Sequence, residues 1–468
     1  MVHRPTQIIA FFSRLFTLFF CLSLLFPLTP AYAGKTSRFP LYTVIVPNVI
    51  FWEKVYGTYN SRQGILHDKN DLSIIYGVVD LVDWNTPAAA RINKNLIKIA
   101  RRRYKAILTK LGTGKKPRSR EEKRIAALFA HKKHSGYKKA RDNIRLQIGQ
   151  KDSFRKGVIR SGAYMRTIKR IFREYRLPLE LAYLPHVESS FNPKAHSKAG
   201  AVGLWQFTRI TGRDFMTIND VLDERYDPVL SSRAAAKLLK KNYAQLGSWP
   251  LALTAYNYGR PGMVRALNQR KTYSNIFKNH RTGLFKFAAR NFYSEFLAAL
   301  RTARKMEKDR SIIRDRPTAT FTVRMKGYAD FDQLRHFLRI SSTDLARLNP
   351  ALQHPVLVGK KYIPKGYRLR LPATPSFKRR AKKLGRRFYH ARQIRDRIYI
   401  VRRGDTISSI GKKFGLSSRS LIRANHLNHR GFIHVGQKII LPPHKTAKHK
   451  DTMIILLDKA KYKPQRHH

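Results

Sequence analysis

Acidic side chains are scarce in this 468-residue chain: 28 Asp and Glu stand against 95 Lys and Arg, a formal charge of +67 at pH 7. Cysteine is scarcer still, with Cys21 alone. That excludes a disulfide framework within the chain and any Cys-based metal site. The largely apolar run Leu15–Leu28 is broken by Pro27 and is short for a membrane span. The histidines after Pro443 lack a metal-ligand spacing, so neither a metal nor another cofactor is predicted.

A balance this basic implies an anionic partner and salt-sensitive association. For a cytosolic chain that partner would be nucleic acid by default. The start of the sequence points elsewhere. Arg4 and Arg14 precede the apolar run, and Ala31-Tyr32-Ala33 forms a small-x-small cleavage site before Gly34. An exported, periplasmic or wall-associated protein with a cleaved leader is expected, with uncleaved anchoring as the alternative. Cys21 would leave with the leader, and Phe19 and Phe20 before it argue against a lipoprotein anchor. An exported chain meets acidic wall peptides, wall-linked polymers or lipopolysaccharide, and nucleic acid is not expected. The excess is spread over every segment, which argues against a dedicated nucleic-acid arm; a lineage bias in surface residues is the alternative source.

The shortage of acids isolates one of them. In Glu180–Phe207, ELAYLPHVESSFNPKAHSKAGAVGLWQF, Glu188 is the only acid after the first residue, and the next is Asp214. Glycoside cleavage usually takes two carboxylates, so a site with one local carboxylate must find its nucleophile elsewhere. Pro178 suits a helix start. Leu181, Leu184 and Glu188 then share one face, which puts Glu188 on an apolar stripe. Desolvation there raises a carboxyl pKa, as a general acid near neutral pH requires. Pro185 predicts a kink one turn before the glutamate. The plain alternative for a lone Glu at a helix end is a solvated or capping residue.

The neighbours of Glu188 resemble the bacterial soluble-type lytic transglycosylases, particularly their membrane-bound D type. The likeness lies in ordered blocks between Arg176 and about Lys305: Glu188-Ser189, Asn192-Pro193-Lys194-Ala195-His196-Ser197 with Ala199-Gly200-Ala201, and Gly203-Leu204-Trp205-Gln206. Arg225-Tyr226-Asp227-Pro228, Ala255-Tyr256-Asn257-Tyr258-Gly259 and a late helix carrying Tyr293 follow. The resemblance implies cleavage of the β-1,4 bond between N-acetylmuramic acid and N-acetylglucosamine in peptidoglycan, with Glu188 as acid and then base. The muramic acid C6 hydroxyl would be the nucleophile and a 1,6-anhydro sugar the product. Ser197 and Gln206 would orient the N-acetyl group, and Tyr256 and Asn257 would hydrogen-bond the sugar or Glu188. Each has a plainer alternative: Ser197 as a helix cap, Asn257 as a turn residue, Trp205 and Tyr293 as core aromatics rather than sugar platforms. Gly200 and Gly203 serve loop geometry.

The whole reads as multidomain: a mainly α, lysozyme-like catalytic domain, small βααβ modules, and an α+β amino-terminal region. After the leader (1–33), residues 34–160 form an accessory region. Short strands are expected to about residue 85, with Thr43–Val46 and Leu72–Val82 β-rich and Phe51-Trp52 packing. Basic helices follow from Thr86, broken at Gly112-Thr113-Gly114 and near Gly136. The catalytic domain spans 161–310, with a buried helix around Ala234–Leu239 and another over Phe292–Ala303. Residues 398–443 resemble a LysM module, a βααβ domain that binds N-acetylglucosamine-containing glycans. The resemblance puts its groove at Gly404, Asp405, Thr406, Asn425, His426 and Leu427; turn and capping roles are the alternative. Residues 320–373 parallel it: Leu345–Asn349 matches Leu421–Asn425, and Leu369–Pro372 matches Ile439–Pro442. Six extra residues and no Gly-Asp-Thr turn make it a degenerate LysM-like module. The stretch 374–397 reads as a basic linker or exposed helix, and 444–468 as a basic tail.

The expected activity is therefore that of an exported peptidoglycan lytic transglycosylase whose partners are peptidoglycan glycan strands and other anionic envelope polymers. A lysozyme-like hydrolase, drawing on Asp214 or Asp227, and a non-catalytic glycan-binding scaffold are the alternatives. The oligomeric state is left open.

Overall fold

The computed structural model describes residues 37–130, 135–395 and 397–442. The expected leader with Cys21 and the basic tail lie outside the described residues. No helix among those described is long and apolar enough to cross a membrane.

Thr43–Val46 opens a helix and not a strand. Thr43–Ile45 is a 3-10 turn, and helix α1 (Val46–Gly57) follows with Pro47 in its first turn, where a missing N–H costs nothing. The β-branched residues are overruled by tertiary packing: α1 lies along the late helix Phe287–Glu307 and buries Val49, Phe51, Trp52 and Val55.

A small lobe follows. Strands β1 (Gln63–Asp68), β2 (Ile75–Asp80) and β3 (Ile144–Ile148) form an antiparallel sheet in the order β2-β1-β3. Helices α2 (Ala89–Gly112), α3 (Arg120–Ala127) and α4 (Ser135–Asp142) lie between β2 and β3 in sequence. The lobe has its own core of Leu66, Tyr76, Tyr104, Leu108 and Ile125. Ser119 and Glu122 close a capping box that starts α3. Strand β3 interrupts the stretch expected to be helical, and its Ile144-x-Leu146-x-Ile148 alternation is its only local sign.

The largest core belongs to α1 together with α5 (Lys151–Ser161), α6 (Met165–Glu174), α7 (Leu184–Ser189), α8 (Pro228–Leu246), α9 (Trp249–Tyr258), α10 (Arg260–Arg270), α11 (Tyr273–Asn279) and α12 (Phe287–Glu307). It crosses the boundary expected at residue 160, because α5 packs against α7 and α12. Along α6 the buried residues Met165, Ile168, Ile171 and Phe172 recur at helical spacing. Asp227 caps α8 by accepting from the Val229 and Leu230 N–H groups, and Gly247 ends it at φ +71°.

Two βααβ modules complete the described residues. In the first, β4 (Thr320–Arg324) pairs with β5 (Arg368–Pro372) around α13 (Phe331–Leu338), α14 (Ser342–Leu348) and the added turn α15 (His354–Leu357). The basic stretch expected as a linker belongs to this module: α16 (Pro375–Lys382) and its successor bury Ala381, Leu384 and Phe388 in the same core. In the second, β6 (Arg397–Ile400) pairs with β7 (Lys438–Leu441) around α17 (Ile407–Lys413) and α18 (Ser418–Ala424).

Candidate active site

The chain reaches Glu188 through two short helices rather than one kinked helix. Leu179–Tyr183 is a 3-10 turn, and Pro185 sits in the first turn of α7, where it starts a helix instead of bending one. The helix stops abruptly because Ser190 and Phe191 adopt φ 48° and 55°, a conformation that L side chains seldom take. Arg160 holds the turn by donating from Nε and Nη2 to the Ser190 carbonyl at 3.1 and 2.6 Å. Gly157 makes the approach possible, since a Cβ there would stand 2.9 Å from that oxygen. On the other side the Ser189 hydroxyl donates to the Leu204 carbonyl at 2.8 Å, tying α7 to the loop that carries Gln206.

Glu188 is half-buried in this setting. Desolvation, and then the charge of Glu295, push its carboxyl up to about 8. Glu295 lies on α12, which packs against α7. Burial raises it to about 8 as well, partly offset by Arg145 on β3. Whichever ionises first raises the other, so the two carboxyls lose their protons as a pair. Tyr56 on α1 lies in the field of both; burial, then Glu295 and Glu188, keep its phenol protonated. His186, two residues before Glu188, is buried among Phe154, Tyr183 and Phe191, with ring centroids 5.0, 6.0 and 4.5 Å away. Burial drops its pKa to about 3, so it is neutral and does not compete for the proton. A half-buried carboxyl kept protonated at neutral pH is what general-acid chemistry asks for.

Glu295, Tyr56, Arg145 and Arg160 were not found by reading the sequence. The available signal for Glu295 was a single acid inside the apolar run Phe292–Ala303. Asp227, weighed as a second carboxylate, is instead the cap of α8 and pairs with Arg370 at 3.0 Å.

The other expected residues separate into loop builders and accessible groups. Ser197 accepts from the Ala201 N–H at 3.0 Å and closes the loop turn. Gln206, at φ 49°, donates its amide to the Gly203 and Ala195 carbonyls at 2.9 and 3.3 Å. Gly203 is obligatory: its φ is +77°, and a Cβ would meet the Arg225 carbonyl at 2.2 Å. Tyr256 donates to the Trp205 carbonyl at 2.8 Å and lies close enough for Glu188 to add to its raised pKa after burial. Asn257 is exposed beside it at the end of α9. Trp205 is fully buried and donates to the Ser232 hydroxyl at 2.8 Å, so it is a core residue. Tyr293, expected among the substrate-binding residues, requires correction. It is fully buried, donates to the Pro40 carbonyl at 2.9 Å and packs edge-on against Tyr273, leaving no face for a sugar.

In the second module Gly404 turns at φ +86°. Asp405 accepts from Tyr399 Oη at 2.8 Å and the Arg402 N–H at 2.7 Å, and Thr406 caps α17. Asn425 donates to the Leu421 and Ile440 carbonyls and accepts from the Ile440 N–H. These three are spent on structure. Gly404 and His426 are exposed, and Leu427 packs partly against the module core.

Two parts of the sequence match known families, and longer stretches are similar to known proteins. The sequence model of the Transglycosylase SLT domain matches residues 167–278, and that of the LysM domain matches residues 399–442. The membrane-bound lytic murein transglycosylase D of Escherichia coli (strain K12) is 27% identical over 283 residues, 58% of this chain and 61% of that protein. The chain therefore spans under two thirds of that curated relative. A putative tributyltin chloride resistance protein of Alteromonas sp. (strain M-1) is 34% identical over 118 residues, 25% of this chain and 57% of that protein. The solved soluble lytic transglycosylase SLT70 of Escherichia coli is 22% identical where aligned, covering 32% of this chain and 26% of its own at a TM-score of 0.27.

Proposed function

We propose that this chain, which carries a transglycosylase SLT domain and a LysM domain, is an exported lytic transglycosylase of peptidoglycan. The observation that carries the reading is Glu188: an acid kept protonated by its surroundings, within the matched domain, at the end of α7, whose exit turn is held by Arg160 and which Ser189 ties to the loop shaped by Gly203.

Glu188 gives its proton to the oxygen leaving C1 of N-acetylmuramic acid as the β-1,4 bond to N-acetylglucosamine breaks. Its carboxylate then takes the proton of the muramic acid C6 hydroxyl as that oxygen bonds to C1. The product carries a 1,6-anhydro end, no water is consumed, and Glu188 is again protonated. An internal hydroxyl held next to C1 competes well with dilute external nucleophiles. Gln206 spends its amide N–H groups inside the loop, so its carbonyl oxygen faces the task of accepting from the N-acetyl N–H. The Ser197 hydroxyl, whose oxygen accepts from the Ala201 N–H, donates its proton to the N-acetyl carbonyl, and Asn257 contacts the sugar from the exposed end of α9. The 398–443 module holds the enzyme on glycan strands through the exposed edge at Gly404 and His426. The basic surface adds attraction to anionic envelope polymers.

Glu295 favours a second reading, hydrolysis. Because Glu188 and Glu295 lose their protons as a pair, the one that ionises first can take a proton from water while the other stays an acid, as a hydrolytic site requires. The experiment that tests the main reading is fragment release from purified peptidoglycan by the chain and by Glu188→Gln. Soluble fragments are expected from the first and none from the second; equal release would remove Glu188 from the chemistry.

A further inference from the structure

The two βααβ modules share an internal lock. Asn349 donates to the Leu345 and Arg370 carbonyls, both at 2.9 Å, and accepts from the Arg370 N–H at 2.8 Å. Asn425 does the same with Leu421 and Ile440, at 2.9, 2.9 and 2.7 Å. They differ along one edge, formed by the loop after the first strand and the loop after the second helix. In the 397–442 module this edge is open, with Arg402, Arg403, Gly404, His426 and Asn428 exposed. In the 320–373 module it is closed by the chain itself. Ala351 accepts from the Asp223 N–H at 2.8 Å, and the Gln353 N–H donates to Val221 at 3.0 Å. Leu222 enters the module core beside Leu352, and Tyr328 exchanges two backbone hydrogen bonds with His390.

This contact reaches the loop around Gln206 through the two ends of one short turn, Asp223 and Asp227, with Arg225 between them. Arg370, fixed by Asn349, pairs with the buried Asp227, the cap of α8. Asp223, whose N–H is held by Ala351, binds the buried Arg225 guanidinium through Nε and Nη2 at 2.9 and 2.7 Å. Arg225 Nη1 then donates to the Gly200 and Phe207 carbonyls at 3.1 and 3.2 Å, on either side of Gln206. Buried charges need such partners, so the chain of contacts is demanding at each step.

We infer that the 320–373 module does not face outward for glycan but clamps residues 219–228 of its own chain, and that Arg370 is a positioning residue for the loop around Gln206. The kinetic part of this rests on the proposed transglycosylase activity; the structural part does not. The test uses the full chain with Arg370→Met, read in three ways. Amide exchange in residues 198–207 and 221–227 should rise about tenfold, as for a broken link in a coupled network. The kcat of fragment release should fall by a similar factor with KM unchanged, and Arg370→Lys should recover part of both. Retention of the Glu188→Gln chain on intact sacculi should not change when Arg370→Met is added. Leu222→Ala, from the other side of the contact, should give the same exchange pattern if Arg370→Met folds poorly. Unchanged exchange in both variants would overturn the clamp. Lost retention with unchanged exchange would make the module an external glycan receptor. A wild type that releases no fragments would sink the proposed function while exchange and retention still decide the clamp.

Discussion

Around Glu188 and in the 397–442 module the chain uses polar groups in opposite ways. At Glu188 two carboxyls and a phenol are drawn away from water, so their proton affinities move far from ordinary values. In the module, Asp405 and Thr406 stabilise turns at the surface, and the acid of Asp405 is held below its usual range by the Arg402 N–H and Tyr399 hydroxyl. The first region has the means to move a proton near neutral pH, and the second has only the means to hold a ligand. Desolvation, rather than the presence of acids, separates chemistry from binding here.

The sharpest break in that comparison is Glu188→Gln. Removing a general acid and base should cut fragment release by about 10²–10⁴-fold. Retention on sacculi should persist, because it belongs to the other region; a co-sedimentation assay reads both at once.

Next in size is the pH response. Glu188 must be protonated to act, so release should fall as pH rises through about 8. Glu295→Gln removes a negative neighbour and should move that alkaline limb to lower pH; an unmoved limb in a rate profile from pH 5 to 10 would separate the two carboxyls. The same shifts carry a stability signature. Below pH 4.5 both carboxyls are protonated folded and unfolded. Between 4.5 and about 8 the unfolded chain ionises while the folded one retains its protons, so stability falls as pH rises. Melting curves should show Glu188→Gln gaining over wild type at pH 8 and showing no gain at pH 4.

Asn425→Ala should act on the module alone. It strands the Ile440 N–H and C=O, at about 1–3 kcal/mol for each buried group left unpaired. Around a core of seven buried side chains that is severe. Retention should drop while turnover of short soluble glycans stays. Asn349→Ala breaks the same lock, but docking on 219–228 should keep that module folded. Asp405→Asn should be the mildest. Its folded-state pKa is depressed, so its contribution is present above the ordinary carboxyl range and is lost as pH falls. The substitution should remove that acid sensitivity from the module's melting.

Much of this was legible because it is local. Glu188 stood out through the scarcity of acids around it, and the repeat of Leu345–Asn349 in Leu421–Asn425 marked a lock that both modules use. What escaped is set by packing over long sequence separations. Thr43–Val46 has strand-like residues, but the surface of α12 makes it helical. Glu295 lies 107 residues after Glu188 (295 − 188), and its proximity follows only from α7 packing on α12. Tyr293 kept its place in the expected late helix but faces Pro40, which no local pattern encodes. The basic stretch after Pro372 looked like a linker because its three apolar anchors, Ala381, Leu384 and Phe388, are diluted by lysine and arginine.

The central claim is an internal nucleophile with Glu188 as the proton carrier. Mass spectrometry of the fragments released from purified peptidoglycan tests it most directly. The account predicts muramic acid ends lighter by one water and resistant to borohydride reduction. Ordinary reducing ends that borohydride converts would contradict it, and would make Glu295 the first candidate for activating a water.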